Sequence, residues 1–361
     1  MASKRTAKKS LVYVGLSGGV DSAVAAALLL KQGYELVGVY MRQYDSELGQ
    51  PDGGRMIECG WQQDRRDAIA VAAHLDIPFR EWDFRKEYHK EVVDYMVSEY
   101  KAGRTPNPDV MCNTHIKFGV FLDKALKEGA DFIATGHYVR IKDEQLLQAV
   151  DSNKDQTYFL WGLTQKQLSH CLFLIGDYKK PDVRTMAKKW GIPTAAKKDS
   201  QGVCFIGKIS MQDFLKDKIK PKKGDLMTPD GIKVGEHDGA WYYTIGQRHG
   251  IGFKGGSQSY VVIDKDMKKN IVYVVPPAKE EAYFKTLIEF ARVNWQDTPL
   301  KFPFTCKARL RYREALGTCV IDQIDDITYS AEFATPHRAV TPGQAIVMYK
   351  WQTMIGGGII L

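Results

Sequence analysis

The chain has 361 residues, of which 44% are hydrophobic and 26% charged, and a chain of this length and composition folds into two or three globular domains. It has no apolar run near the ~20 residues that cross a bilayer, and a strand begins at Leu11 with no room for a signal peptide's apolar segment. These features argue against a membrane or secreted protein, so a cytoplasmic location is predicted. The formal net charge of +8 suits a polyanionic partner or, equally, a lysine-rich solvated surface.

Strands and helices alternate in the first half of the chain. An apolar strand (11–16) leads through a glycine turn into a helix (20–32) that Gly33 caps, and a second strand follows (34–42). The later elements alternate in the same way: helix 65–77, strand 79–84, helices 87–103 and 116–130, and strand 130–138. This order predicts an α/β fold with a doubly wound parallel sheet, helices on both faces, and ligands at the carboxyl ends of the strands.

The pattern changes after about residue 205. A short helix (211–219) precedes glycine-punctuated short strands, and a Pro-Pro pair at 276–277 marks a boundary. From Phe284 onward, short alternating runs predict an antiparallel barrel or sandwich. We therefore expect three domains: an α/β domain at 1–205, a small β-rich central domain at 206–277, and a C-terminal β-barrel-like domain at 278–361.

The turn SGGVDS (17–22) is suited to binding phosphate. Gly18 and Gly19 allow backbone amides to converge on an anion, and the following helix adds its positive N-terminal end. Ser17 and Ser22 can donate hydroxyls, and Asp21 can hold Mg²⁺ on the phosphates. Neither a Walker loop nor a GxGxxG fingerprint is present. The alternative is a tight strand-to-helix turn whose glycines serve packing.

The SGGVDS turn resembles the signature of the PP-loop ATP pyrophosphatases. This resemblance implies that ATP is cleaved between its α and β phosphates, that a carbonyl oxygen is adenylated, and that a nucleophile then displaces AMP. The superfamily contains small-molecule ligases and tRNA thiolases, and the turn alone does not choose between them.

Two of the six cysteines lie in settings that favour a reactive thiolate. Cys112 follows a stiff Pro-rich approach, and we expect a helix to start just after it, which would lower the pKa of the thiol. Asp109 lies three residues earlier and could assist proton transfer. Cys204 lies in a loop beside lysines, which also favour the thiolate. The cysteines form no CxxC pair and no metal-ligand spacing, so no protein-ligated metal is predicted.

The other cysteines have simpler interpretations. Cys171, Cys306 and Cys319 lie within apolar patterns and are predicted to be small buried residues. Cys59 lies in a loop and has no assigned role.

Activation of an oxygen, reactive thiols and a basic chain together predict a nucleic-acid thiolase. The motifs GLSGGVDS, NPDVMCN, ATGHY, KDQTYFL, DSQGVCFIG, YTIGQRHGIG and RLRYRE, in this order, closely resemble those of the tRNA-specific 2-thiouridylase family. The resemblance covers nearly the whole chain. It implies a PP-loop domain, a small central β-rich domain and a C-terminal barrel-like domain.

The resemblance also implies roles for individual residues. ATP would bind at Gly15, Leu16, Ser17, Gly18, Gly19, Val20, Asp21 and Ser22, with Met41 at the adenine and Gly136 against the nucleotide. The target base would be held by Asn107, Pro108 and Asp109. Transfer RNA would contact His137, Lys154, Asp155, Gln156, Arg311, Tyr312 and Gln344.

The family's reaction implies that the wobble uridine, adenylated at O2 by ATP with Mg²⁺, receives sulfur at C2. Cys204 would carry the persulfide and Cys112 would be the nucleophile, and the two would end as a transient disulfide. The implied partners are tRNAs for Glu, Gln and Lys and a cysteine desulfurase or sulfur-relay protein.

Strand alternation in FTCKARLRYRE offers separate support for RNA binding. It predicts Lys307, Arg309, Arg311 and Arg313 on one face of a strand, where a basic stripe can follow phosphates. The alternative is a solvated edge strand protected by charge.

Three other functions remain possible at this point. A small-molecule ligase of the same superfamily would not depend on Cys112 and Cys204. A non-catalytic RNA-binding protein would bind RNA without releasing pyrophosphate. A thiolase for 2-thiocytidine typically uses CxxC pairs, which this chain lacks.

Overall fold

The computed structural model describes residues 9–44, 61–199, 211–251, 259–296 and 301–361. Contacts within the chain divide it into two units. The first unit comprises residues 1–91, 109–207 and 352–354, and the second comprises 92–108, 208–351 and 355–361.

Seven strands belong to the first unit. They are β1 (Leu11–Gly15), β2 (Glu35–Arg42), β3 (Phe79–Asp83), β4 (Phe132–Thr135), β5 (Val139–Lys142), β6 (Gln145–Gln148) and β7 (Cys171–Phe173). Five of them form a parallel sheet in the order β3-β2-β1-β4-β7. The order reverses direction between β1 and β4, which makes the carboxyl end of β1 the switch point at which open α/β sheets bind ligands.

Helices alternate with these strands, as the sequence predicted. They are α1 (Val20–Lys31), α2 (Trp61–His74), α3 (Arg85–Tyr88), α4 (Tyr95–Lys101), α5 (Pro108–Met111), α6 (Phe121–Lys127), α7 (Gln165–Leu168) and α8 (Lys180–Lys189). Of these, α4 belongs to the second unit. π-helical turns at His89–Asp94 and Cys112–Val120 connect α3 to α4 and α5 to α6. The predicted doubly wound α/β fold is confirmed.

The core of the first unit is built on α1, whose small side chains let it lie close to the sheet. Ala23, Val24, Ala25 and Ala26 are fully buried and pack with the apolar residues of β1 and β2. The same core includes apolar residues of α2 and α8, so α1 is buried on nearly all sides. The helix therefore has a fixed position, and so does the turn that precedes it.

The second unit contains a small mixed sheet and a barrel. The sheet has the order β10-β11-β8-β9 and follows helix α9 (Met211–Lys218). Its strands are β8 (Gly224–Met227), β9 (Lys233–His237), β10 (Val261–Asp266) and β11 (Ile271–Val275).

The barrel has six strands in the order β12-β15-β14-β13-β16-β17, and β17 pairs with β12 to close it. They are β12 (Lys285–Trp295), β13 (Phe304–Arg309), β14 (Gly317–Gln323), β15 (Thr328–His337), β16 (Ala345–Lys350) and β17 (Thr353–Ile360). Closure gives each of these six strands a neighbour on both sides. The same sheet continues from β17 to β6 and then to β5. The predicted central β-rich region and antiparallel barrel are confirmed.

The predicted basic stripe is wrong beyond Arg309. β13 ends at Arg309, so the alternation does not extend to Arg311 and Arg313. Arg309 is only 4% exposed, and its guanidinium lies 4.9 Å from the ring centroid of Tyr349. Arg309 lies on the face of β13 opposite Cys306 and Ala308, which belong to the barrel core. Stacking on an aromatic ring explains how this buried cation is accommodated there.

None of the helices in the described residues is long and apolar enough to cross a membrane.

Candidate active site

The glycine turn after β1 has the backbone geometry of an anion-binding loop. Gly18 has a φ of 72°, and Gly19 is the N-cap of α1. A Cβ on Gly18 would lie 2.2 Å from the carbonyl oxygen of Asp64, so only glycine fits there. The Ser17 and Ser22 hydroxyls lie 3.2 Å apart and stabilise the turn from within. The amides at the start of α1 therefore lie at the sheet's switch point, as an anion site requires.

Lys197 fixes this turn to helix α2. Its Nζ donates to the carbonyl of Gly18 at 3.0 Å and to Asp64 at 2.7 Å, and it also bonds Asp67. Burial lowers the pKa of Lys197, but the two carboxylates outweigh it and raise the pKa overall. The sequence analysis assigned Lys197 no role.

Asp21, the predicted Mg²⁺ ligand, is held by two groups that the sequence analysis missed. Lys180 Nζ lies 2.8 Å from each of its carboxylate oxygens, and the Tyr138 hydroxyl donates to one of them at 2.8 Å. Lys180 Nζ also contacts Asp199 at 2.8 Å. The acid in the first turn of α1 is therefore paired with a lysine at the start of α8.

Asp199 joins three cations. It accepts from Lys154 at 2.7 Å and from Arg184 at 2.6 Å, in addition to Lys180. Burial raises the pKa of the Asp199 carboxyl, but the hydrogen bonds from Lys154 and Lys180 outweigh it and lower the pKa to about 2. Lys154, a predicted tRNA contact, is thus linked through Asp199 to the lysine beside the glycine turn.

The predicted adenine-side residues lie next to the turn. A Cβ on Gly15 would lie 3.0 Å from the methyl of Met41, so these residues are in contact across β1 and β2. A Cβ on Gly136 would lie 2.5 Å from the amide nitrogen of Ser22, so glycine lets the end of β4 approach the start of α1. The structure therefore brings Gly15, Met41 and Gly136 together with the loop. Leu16 and Val20 within it are buried.

Cys112 lies inside a helix, contrary to the expectation that a helix starts just after it. The helical run begins at Pro108, a residue favoured at the first position of a helix, and continues through Cys112 into the π-helical turn. The argument for a lowered pKa from a helix N-terminus therefore does not hold. Cys112 is 4% exposed. A π-helical turn of this kind is rare and often marks a functional site.

Asp109, one turn before Cys112, is a carboxyl in an unusual environment. Burial raises its pKa, and the charge of Lys117 opposes that effect only in part. The same lysine charge and, above all, burial lower the pKa of His137 well below its usual value. The sequence analysis named Asp109 and Cys112 but not Lys117. No motif around Lys117 indicated a role for it.

His137, a predicted tRNA contact, is 7% exposed. Its Nδ1 lies 2.8 Å from the Thr135 hydroxyl, and its ring lies 5.6 Å from Phe118 and 6.5 Å from Phe173, measured between centroids. The lowered pKa means that the imidazole is neutral at physiological pH.

The predicted tRNA-contacting turn at 154–156 is held by its own side chains. Asp155 is 1% exposed and accepts hydrogen bonds from the amides of Ala149 and Thr157. Gln156 accepts from the amide of Tyr138 at 2.9 Å. Asp155 and Gln156 therefore shape the turn, while the half-buried Lys154 points to Asp199.

In the second unit, Gln344 lies beside the segment that leads to the predicted base-binding residues. Its Nε2 donates to the carbonyls of Thr105 at 2.7 Å and Pro106 at 3.3 Å, just before Asn107. Arg311 donates to the carbonyl of Ala339 at 2.5 Å. Tyr312, half-buried, lies under the guanidinium of Arg313 at 5.1 Å from its ring centroid.

Cys204 and Cys59 lie outside the described residues, so the predicted transient disulfide with Cys112 stays a prediction. The prediction that Cys171, Cys306 and Cys319 are buried is confirmed. Cys306 and Cys319 face each other across β13 and β14 with sulfurs 3.8 Å apart.

Three family models match consecutive stretches of the chain. They are a tRNA methyl transferase HUP domain at residues 10–208, a tRNA methyl transferase PRC-barrel domain at 212–276, and an aminomethyltransferase β-barrel domain at 285–360.

Curated relatives match over nearly the full length. The tRNA-specific 2-thiouridylase MnmA of Lysinibacillus sphaericus (strain C3-41) is 43% identical, with 100% of this chain and 96% of the relative covered. That of Streptococcus thermophilus (strain CNRZ 1066) is 45% identical, with 98% and 95% covered. The tRNA-specific 2-thiouridylase MnmA 2 of Geobacillus kaustophilus (strain HTA426) is 44% identical, with 97% and 94% covered.

Proposed function

The chain belongs to the tRNA-specific 2-thiouridylase family, and we infer that it is a tRNA-uridine 2-sulfurtransferase that uses ATP. The observation that carries this inference is the similarity over the whole chain, which includes the nucleotide turn, the helix of Cys112 and the barrel. The geometry of the first unit supports it, because an anion-binding turn and a thiol-bearing helix belong to the same unit.

We propose that ATP binds with its phosphates on the amides of residues 15–22 and its adenine beside Met41 and Gly136. The positive φ of Gly18 and the N-terminus of α1 support the phosphate site. Lys197 holds the turn in this shape before the nucleotide arrives, so little reorganisation accompanies binding.

The wobble uridine would be turned out of the anticodon stack and held by Asn107, Pro108 and Asp109. Its O2 attacks the α-phosphate and pyrophosphate leaves, which gives a base adenylated at O2. The raised pKa of Asp109 suits a group that exchanges protons with the base or with the thiol of Cys112.

Sulfur transfer would follow at the two thiols. The terminal sulfur of a Cys204 persulfide bonds to C2 as AMP leaves. Cys112 then attacks Sγ of Cys204, which releases 2-thiouridine and leaves a Cys112–Cys204 disulfide. In the other order, Cys112 first attacks Sγ of the Cys204 persulfide, which forms the same disulfide and expels the terminal sulfur as sulfide. The sulfide then attacks C2 and AMP leaves, which gives 2-thiouridine. A cellular dithiol reduces that disulfide by two electrons and resets the enzyme.

Transfer RNA would be bound by His137, Lys154, Asp155 and Gln156 in the first unit and by Arg311, Tyr312 and Gln344 in the second. Burial of His137 and Asp155 means that their role is to shape the surface rather than to supply charge. The proposed substrates are tRNAs for Glu, Gln and Lys, and the proposed sulfur donor is a cysteine desulfurase or a relay protein. The proposed location is the cytoplasm, which action on tRNA supports.

Mg²⁺ fits this site at Asp21. The Asp21 carboxylate already binds one cation, the ammonium of Lys180, at 2.8 Å. Mg²⁺ is usually bound by one or two carboxylates plus substrate phosphates, and the described residues hold no cluster of three or more His, Cys, Asp or Glu that could bind a metal. Asp21 would therefore hold the ion with the ATP phosphates, and the ion would neutralise charge on the departing pyrophosphate.

The test is pyrophosphate release from ATP, with and without unmodified tRNA that carries a wobble uridine, followed by mass analysis of the tRNA. The variants are Cys112→Ser and Cys204→Ser, with Cys171→Ser as a matched control from the same unit. We expect tRNA-dependent release, and a gain of sulfur in wild type and Cys171→Ser alone.

The other candidate is a PP-loop ligase or amidotransferase acting on a small molecule. Pyrophosphate release without tRNA, or a tRNA that gains no sulfur with any donor, would favour that enzyme. Full sulfur transfer in Cys112→Ser would mean that Cys112 is not the nucleophile. If Cys204→Ser kept full sulfur transfer with a physiological donor, the persulfide assignment would be wrong.

A further inference from the structure

Lys180 is a buried lysine held between two carboxylates of the first unit. Its side chain is 10% exposed, and its Nζ lies 2.8 Å from both oxygens of Asp21 and 2.8 Å from Asp199. Its ammonium also lies 5.8 Å from the ring centroid of Tyr138. A buried ion pair adds little stability compared with well-packed apolar residues, so stability alone does not account for this arrangement.

The position of Asp21 gives the lysine a function. Asp21 lies in the first turn of α1, two residues after the N-cap Gly19. An acid there interacts favourably with the helix N-terminus, but it also repels any phosphate that the same N-terminus attracts. Lys180 cancels this repulsion. Together, Asp21 and Asp199 with Lys180, Lys154 and Arg184 carry a net charge of about +1 at neutral pH.

The backbone of Lys180 is anchored, so its ammonium can leave Asp21 by a movement of the side chain alone. Lys180 is the first residue of α8, its backbone amide donates to Asp151 at 2.9 Å, and Pro181 follows it. Because Asp199 also receives bonds from Lys154 and Arg184, it stays in place if Asp21 is released. The ammonium can therefore give up Asp21 while keeping Asp199.

We propose that Lys180 is a phosphate-binding residue of the enzyme, whose ammonium exchanges the Asp21 carboxylate for oxygens of the departing pyrophosphate when ATP binds, while it keeps Asp199. This inference rests on the ATP site of the proposed function and adds a residue to it. The exchange also leaves the Asp21 carboxylate available on the phosphate side of the site. Charge builds up on the pyrophosphate during its release, and a fixed ammonium there stabilises it.

The experiment compares the affinities of Lys180→Met and Lys180→Gln for ATP and for AMP by equilibrium dialysis of the full chain. Lys179→Met is the matched control, because it removes the same charge from the exposed neighbouring residue. We expect the Lys180 variants to bind ATP about 10- to 100-fold more weakly, as the loss of a charged hydrogen bond predicts. AMP lacks the pyrophosphate, so its affinity should change less than about 3-fold. Lys180→Arg should recover part of the ATP affinity.

The inference would be wrong if Lys180→Gln bound ATP as tightly as Lys179→Met does. It would also be wrong if the Lys180 variants lost equal affinity for ATP and for AMP, because that would indicate a structural role. A wild type that binds no ATP would overturn it too, together with the ATP site. If the ATP-specific loss is seen but wild type adds no sulfur to tRNA, the inference stands and the proposed function fails. Thermal unfolding of each variant shows whether it is folded in the assay.

Discussion

Lys197 Nζ donates a hydrogen bond to the carbonyl oxygen of Gly18 at 3.0 Å, although 179 residues separate them in the sequence. The same ammonium bonds Asp64 and Asp67 of α2. One side chain therefore ties a glycine with a positive φ to the neighbouring helix. The nucleotide turn owes its shape to this contact as well as to its own residues.

Replacement of Lys197 by Met should weaken ATP binding and lower stability. Asp64 and Asp67 would lose their shared cation next to the turn, and we expect the free energy of unfolding to fall by about 1–2 kcal/mol. Lys198→Met, which removes the same charge from an exposed neighbour, is the control. Urea unfolding and ATP titration measure the two effects. Wild-type ATP affinity in Lys197→Met would show that the turn holds its shape alone.

Replacement of Gly18 by Ala should abolish nucleotide binding. The new Cβ would lie 2.2 Å from the Asp64 carbonyl at a φ of 72°, so the turn must shift. Gly33→Ala is a matched control, because Gly33 also has a positive φ (91°) but open space around its Cβ. We expect both variants to lose about 1 kcal/mol or more of stability from backbone strain, and only Gly18→Ala to lose ATP affinity. Equal ATP affinity in the two would contradict the steric argument.

Local patterns predicted much of this fold. The apolar strand, glycine turn and alanine-rich helix between Leu11 and Lys31 follow from short-range periodicity, and the structure forms them there. The alternation of strands and helices likewise indicated the parallel sheet. These features depend on neighbours in the sequence, which is why they could be predicted.

The features that the sequence did not predict depend on distant partners. Lys180 and Lys197 belong to a lysine-rich stretch that suited a solvated surface, yet their carboxylate partners lie 159 and 133 residues away in Asp21 and Asp64. Arg309 suited an exposed basic stripe, but it is buried against the ring of Tyr349 on a neighbouring strand. Charge pattern alone does not distinguish a cation in solvent from one that a folded chain pairs.

Asp199 should contribute stability that disappears in acid. Its pKa in the folded protein is about 2, below the ordinary value of 3.8, so its contribution is present above pH 3.8 and is lost as the pH falls through about 2. We expect Asp199→Asn to lower the free energy of unfolding at pH 7 by about 1.5–3 kcal/mol.

Urea unfolding at pH 7, 5 and 3 measures the contribution of Asp199 to the free energy of unfolding. The difference in free energy of unfolding between wild type and Asp199→Asn should be equal at pH 7 and 5 and smaller at pH 3. Asp177→Asn is the control, because the Asp177 side chain is 71% exposed. A gap that is unchanged at pH 3 would mean that the lysines do not stabilise the Asp199 anion.

Asp109 should behave in the opposite way. Burial raises its pKa, so the stability that the protonated carboxyl contributes below its ordinary pKa is lost as the pH rises through the folded value. Asp109→Asn removes this loss. We expect the variant to be at least as stable as wild type at pH 7 and about equal to it near pH 4, while sulfur transfer to tRNA is lost. A variant that is less stable than wild type at pH 7 would show that other contacts of the ionised Asp109 dominate.

Gln344 should affect tRNA binding through the backbone before Asn107. Its Nε2 holds the carbonyls of Thr105 and Pro106, so Gln344→Ala releases the segment that leads to the proposed base-binding residues. We expect tRNA affinity to fall about 3- to 10-fold, the equivalent of one hydrogen bond of about 1 kcal/mol, with ATP affinity unchanged. Gln344→Glu, which cannot donate, should behave like Gln344→Ala. A glutamate has nearly the same size as Gln344 but cannot donate to the Thr105 carbonyl. If Gln344→Glu bound tRNA like wild type, this hydrogen bond would therefore not be the reason why Gln344 affects tRNA binding.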